Sequence, residues 1–183
     1  EYLIANKYTS SKKLAIAGTI IALVALHVLH QEFKIKRMIV STYQAVSGAG
    51  VKGIQDLENQ VKDPSIPSQA FPYPIAYNLI PQIGDFDENG ISKEEWKLQN
   101  ESRKILHDPD ILVNCTCVRV PIMRSHSESI TIECEKEVDV QKARELLAHA
   151  PGVKLVDDPQ NKIYPMPLDT SDQDLVYVGR IRE

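Results

Sequence analysis

Between Leu14 and Leu29 the chain reads LAIAGTIIALVALHVL, an almost unbroken apolar run with Lys12 and Lys13 before it and Lys34, Lys36 and Arg37 soon after. A membrane span takes about 20 apolar residues. This run is shorter and gives way to His27 and His30, so it predicts a buried core helix, with Ser10 or Ser11 placed to cap it. Contact of residues 14–29 with a membrane is the second reading. From Arg37 to Tyr43 the β-branched stretch RMIVSTY predicts a strand that ends at the turn Ser47-Gly-Ala-Gly50, and Gly53 to Val61 predicts a helix. Four prolines, at 64, 67, 72 and 74, break residues 62–74 into a surface excursion. Ser92 with Glu95 three residues on has the form of a capping box and predicts a helix to Leu106.

The second half alternates differently. Leu112 to Ile122 predicts a strand with Val113, Cys115, Cys117 and Arg119 on one face and Asn114, Thr116, Val118 and Val120 on the other. After a polar loop, Ser129 to Cys134 predicts a second strand, Val140 to His149 a helix stopped by Pro151-Gly152, and Val153 to Val156 and Leu175 to Ile181 two short final strands. Strands and helices mixed in this order make an α+β domain.

Composition changes that picture little. With 183 residues, 43% hydrophobic and 25% charged, the chain forms one globular domain or a large part of a two-domain enzyme. A net charge of −4 with both signs dispersed lacks the clustered Lys and Arg of a nucleic-acid surface. Cys115, Cys117 and Cys134 are an odd number and are read as free thiols of a reducing compartment. The chain opens on Glu1 rather than Met, so targeting information ahead of it is expected to be missing.

Two motifs fail as metal sites. Asp85, Asp87, Asn89 and Gly90 imitate the start of a calcium loop, but the twelfth position is Trp96 where a bidentate Glu belongs, and Pro81 spoils the entering helix. Cys115-Thr-Cys117 has no second ligand pair near it in sequence. The more informative set is Gln44, Glu94, Lys97, Arg119 and His126: an amide, a carboxylate, two cations and an imidazole. Glu94 and Lys97 share a helix face, where the plain alternative is a surface ion pair. Arg119, inside an apolar strand, needs an anionic partner or solvent at the sheet's end.

These residues sit in a series of motifs that resembles the aspartate-semialdehyde dehydrogenase family: IVSTYQAVSGAG at 39–50, Asn89-Gly90 followed by Glu94-Glu-Trp-Lys97, CVRVPI at 117–122, SHSES at 125–129 and VGRIR at 178–182. The resemblance runs from about Thr19 to the end. It implies a mixed sheet with helices on one face, like the C-terminal domain of glyceraldehyde-3-phosphate dehydrogenase, pairing sheets in a homodimer. It also implies NADP-dependent conversion of aspartyl phosphate to aspartate semialdehyde with release of phosphate, on the route to lysine, methionine and threonine. Gln44 is then the amide orienting the acyl intermediate, Glu94 the binder of the substrate's amino group and Lys97 the holder of phosphate. Arg119 clamps the substrate carboxylate, His126 is the general acid/base, and Ser47 and Gly48 approach the nicotinamide.

Two departures accompany the resemblance. The family's cysteine motif is replaced around Lys7 to Gly18, with Ala17 standing where the thiol belongs, and no GxGxxG-like phosphate turn is present. Residues 1–18 are therefore an atypical segment and 19–183 a dimerisation and substrate-binding domain whose final helix is missing. The function read from the sequence is that of the dehydrogenase present as a partial chain. Its alternative is a catalytically inactive homologue serving as a structural or regulatory subunit. By analogy with the family the compartment is the cytoplasm, or the plastid in a plant.

Overall fold

Residues 18–183 are described in a computed structural model, with side chains from Ile21 onward. The capping serines, the segment from Lys7 to Ala17 and the start of the apolar run lie outside the described residues.

Helix α1 (Gly18–Phe33) carries the apolar run into the centre of the domain. Ala22, Leu23, Ala25, Leu26, Leu29, His30 and Phe33 are buried, a stripe repeating every three to four residues. The helix continues four residues past the predicted end at Leu29, because His30 is accommodated inside rather than excluded. It stops at Lys34, whose φ of 57° is left-handed and turns the chain straight back into strand β1 (Ile35–Gln44). Among the described residues no helix is long and apolar enough to cross a membrane.

β1 is the middle strand of a three-stranded mixed sheet, order β2-β1-β3. It runs parallel to β2 (Leu112–Arg119) and antiparallel to β3 (Ser127–Cys134). Parallel pairing of β1 and β2 requires a long crossover, which is supplied by α2 (Gly50–Lys62), an irregular stretch and α3 (Lys93–Ile105). Met38, Val40, Thr42 and Gln44 of β1 point to the covered face, while Ile39 and Tyr43 point outward and are exposed. Helices α1 and α3 lie over the covered face, and their side chains join those of β1 and β2 in one core built on Leu23, Met38, Leu98 and Ile111. The sheet with helices on one face is the architecture expected from the sequence.

The boundaries differ where a polar group intervenes. β2 ends at Arg119 rather than Ile122, since Val120 N–H turns aside to the Gln44 carbonyl (3.0 Å). β3 begins two residues early, at Ser127, and α2 begins at Gly50 after a 3-10 turn over Val46–Ala49. The proline-rich excursion contains no helix or strand, as predicted, yet it is fastened. Asp56 accepts the N–H groups of Gln69 (2.9 Å) and Ala70 (2.8 Å), and Gln60 accepts that of Ile75 (2.8 Å), which is wholly buried. The remaining elements are α4 (Val140–His149), capped by Asp139, a short α5 (Pro167–Thr170), and a two-stranded parallel sheet of β4 (Val153–Leu155) and β5 (Val176–Val178).

Candidate active site

The carboxyl ends of the parallel strands β1 and β2 meet at the pair Gln44 and Arg119, which stand opposite each other in the register. In open α/β arrangements ligands collect outside such strand ends. Gln44 is 2% exposed, and its Nε2 donates to Glu94 Oε1 of α3 at 3.3 Å. The plain alternative, a surface ion pair of Glu94 with Lys97, is not what forms: the Glu94 carboxylate is turned toward the sheet end. Lys97 lies one turn along α3, half-buried, with Glu101 as its electrostatic neighbour.

Arg119 is 6% exposed. Its Nη1 donates to the Ala45 carbonyl at 2.6 Å, and its guanidinium lies over the Phe71 ring, 5.8 Å from the centroid. Burial holds its pKa below the usual arginine value, opposed by the nearby Glu94. No carboxylate among the described residues comes within ion-pair distance of it. A buried guanidinium held by one carbonyl and an aromatic face keeps donors available for an anion.

His126 closes the site from the loop before β3. Its Nδ1 accepts the Ala45 N–H at 3.0 Å, so a neutral ring carries its proton on Nε2. Burial, and then Arg119, hold its pKa down to about 4, so the imidazole is uncharged at neutral pH. Gly48, in the 3-10 turn that follows β1, stands against both groups. A Cβ there would fall 2.7 Å from Arg119 Nη1 and 3.3 Å from His126 Nε2, so even alanine would push into the pair. Ser47, beside it, is half-buried.

The fold therefore brings Gln44, Ser47, Gly48, Glu94, Arg119 and His126 together, with Lys97 at the margin. Three residues contribute beyond what the sequence reading assigns to the site, Glu95 being read there only as a helix cap. Phe71 comes from the proline-rich excursion and supports Arg119. Glu95 caps its helix through the Ser92 N–H (2.7 Å) and also accepts the Cys117 N–H (3.0 Å), which pins α3 to β2. Glu128 lies on β3 with both carboxyl oxygens buried and without a hydrogen-bond partner among the described residues. Burial, then Cys117 and Glu94, push its pKa up to about 8. The alternation of β3 could have revealed it, because Glu128 shares the inward face with Ile130, Ile132 and Cys134.

The motifs set aside as metal sites have other uses. Asp87 accepts the Asn89 and Ile91 N–H groups (2.9 Å each) and the Trp96 indole N–H (2.7 Å), while Asp85 pairs with Lys93 at 2.5 Å. Cys117 is buried, and the Cys115 thiol is pushed up by its hydrogen bond with Cys117 and by burial.

Comparison with known proteins fixes the class. The chain belongs to the semialdehyde dehydrogenase family through that family's dimerisation domain, whose profile matches residues 26–183. Its relatives include the aspartate-semialdehyde dehydrogenase of Aquifex aeolicus, 51% identical over 171 residues that cover 91% of this chain and 50% of that protein. That of Campylobacter jejuni is 52% identical over 171 residues, covering 90% and 50%. The fold is similar to the crystal structure of aspartate semialdehyde dehydrogenase II from Vibrio cholerae, with a TM-score of 0.85 and 39% identity over 90% of this chain and 50% of that one. The same protein complexed with ASA matches equally well. The chain spans about half the length of these relatives.

Proposed function

We propose that this chain is the substrate-binding and dimerisation half of an aspartate-semialdehyde dehydrogenase, which acts with NADP on the acyl group shared by aspartyl phosphate and aspartate semialdehyde. The observation that carries the reading is the buried Arg119 with no ion-paired carboxylate among the described residues, near a Glu94 carboxylate turned toward the same sheet end. A guanidinium and a carboxylate side by side match the carboxylate and ammonium of an amino-acid head. Gln44, held by Glu94, orients the reacting acyl group through its amide, and Lys97 at the margin takes phosphate.

His126 enters as a neutral ring whose Nε2–H is a donor for the acyl oxygen. For it to take up a proton at Nδ1, the Ala45 N–H must first be released. None of the three cysteines of this chain supplies the thiol that the resemblance implies, since Cys115, Cys117 and Cys134 are all committed to the sheet and burial helps push Cys115 and Cys134 up. NADP supplies the hydride acceptor. The residues that fit its nicotinamide end are Ser47 and Gly48, because Gly48 is exposed and leaves an open edge beside Arg119 and His126.

Phosphate-dependent reduction of NADP with aspartate semialdehyde, measured on the full-length natural protein, tests this reading. Turnover that depends on both phosphate and the semialdehyde is expected. Its absence from a folded, dimeric protein would overturn the reading in favour of a non-catalytic subunit.

A further inference from the structure

Gln44 and Arg119 form the outermost pair of the covered sheet face, and the next row inward has three members. Thr42 of β1 stands opposite Cys117 of β2 on one side and Glu128 of β3 on the other. Thr42 and Cys117 are completely buried, and Glu128 points the same way as the core residues Ile130 and Ile132. Its carboxyl thus lies on the floor of the site, shielded from solvent, with neither oxygen bonded to a donor among the described residues.

A buried carboxylate with no donor would be strongly disfavoured. The groups around this one make ionisation harder still. From β2 come Cys117, with Cys115 behind it, and from α3 comes Glu94, a like charge. Glu95, the next residue of α3, is already committed to the N–H groups of Ser92 and Cys117. β1 contributes the uncharged Thr42. Arg119 and His126 belong to the outer layer, where Arg119 is held by the Ala45 carbonyl and His126 by the Ala45 N–H. α1 runs back along β1 from the turn at Lys34, so its titratable groups His27, His30 and Glu32 lie toward the Ile35 end of the sheet.

We infer that Glu128 is a positioning residue of the amino-acid site: as an uncharged carboxyl beneath Glu94 it keeps the floor neutral, so that Arg119 remains available to the substrate's carboxylate. The inference rests on the function proposed above. With Glu128 protonated, the pocket offers one cation and one anion, the complement of a zwitterionic head. Loss of the proton adds a second carboxylate to a poorly screened pocket. Arg119 is then partly neutralised from within, and an incoming carboxylate meets a net negative site. A pKa pushed up to about 8 puts that change at the alkaline edge of the physiological range.

Binding is affected more than chemistry, so KM and kcat should separate. In the full-length protein the KM for aspartate semialdehyde is expected to rise about tenfold more between about pH 7 and pH 9 than it does in Glu128→Gln, which imitates the protonated form. The kcat values of the two proteins should keep a constant ratio. At about pH 7 the variant should bind substrate within about threefold of the unsubstituted protein. An identical alkaline rise in the variant would overturn the inference, and so would a tenfold loss of binding in the variant at neutral pH, which would mean that a charged Glu128 is required. Carbon-13 titration of the glutamate carboxyls of the unsubstituted protein gives an answer even if the variant does not fold. A buried resonance with a midpoint near 8 supports the inference, and midpoints confined to the ordinary glutamate range overturn it. Absence of turnover in the unsubstituted protein would instead remove the proposed function and leave the titration to judge Glu128.

Discussion

His30 and His126 occupy opposite ends of the same sheet and are held in the same way, each accepting a backbone N–H at Nδ1: from Ile35 at 3.1 Å and from Ala45 at 3.0 Å. What the other nitrogen meets is different. His30 Nε2 faces the Asp108 carboxylate at 3.6 Å, and Lys34 closes on the same carboxylate, so at that end the buried polar groups are matched within the chain. His126 Nε2 faces the glycine at 48 and the guanidinium of Arg119, with no carboxylate among the described residues to balance them. Buried polar groups are ordinarily partnered. An end of a fold where, among the described residues, the cation lacks its anion marks the place where a ligand completes the set.

Removing the cation should break this contrast most visibly. In the full-length protein Arg119→Met is expected to lower kcat/KM by about 10²- to 10⁴-fold, since truncating one member of a buried charged pair costs about 2–5 kcal/mol. Thermal stability should hold or rise, because a buried cation with no ion-pair partner among the described residues contributes little to folding. A large drop in stability with binding intact would make Arg119 a structural residue like Asp108.

The opposite pattern is expected at the other end. Leu23→Ala removes a side chain that is 2% exposed in the centre of the core and should cost about 2–5 kcal/mol in chemical denaturation, while activity per folded molecule is kept.

A finer distinction comes from acid. Burial lowers the pKa of His126 from 6.5 to about 4, so the folded protein binds fewer protons than the unfolded chain in that interval. Its contribution is complete above about pH 6.5 and is lost as the pH falls toward 4, by about 3 kcal/mol in all. His126→Gln should flatten that part of the acid limb in pH-dependent unfolding, and an unchanged limb would show that the ring is not buried as described.

Much of this arrangement was legible in the sequence. The apolar run of α1 as a buried helix, the alternation of β2 and the pairing of Ser92 with Glu95 each follow from local sequence, and the structure keeps them. The motif at 39–50 put Gln44, Ser47 and Gly48 at one strand end, where they stand. What escaped depended on long-range partners. Nothing local says that Asp56 and Gln60 will staple a proline-rich segment, or that Phe71 will come to lie under Arg119. Helix spacing offered Glu94 only the neighbouring Lys97 as a partner, and nothing local says that Gln44, fifty residues away, will donate to it. Glu128 sat inside a recognised motif without a role, because a single carboxylate in a strand reads as solvated until the neighbouring strands and helix are known to bury it.

The most direct test is nitrogen-15 NMR of the histidine rings and arginine side chains of the full-length protein during titration with aspartate semialdehyde. Saturable shifts at His126 and Arg119, with His30 unmoved, are the expected result. Equal shifts at both histidines, or none at either, would contradict the assignment of one end of the sheet to structure and the other to substrate.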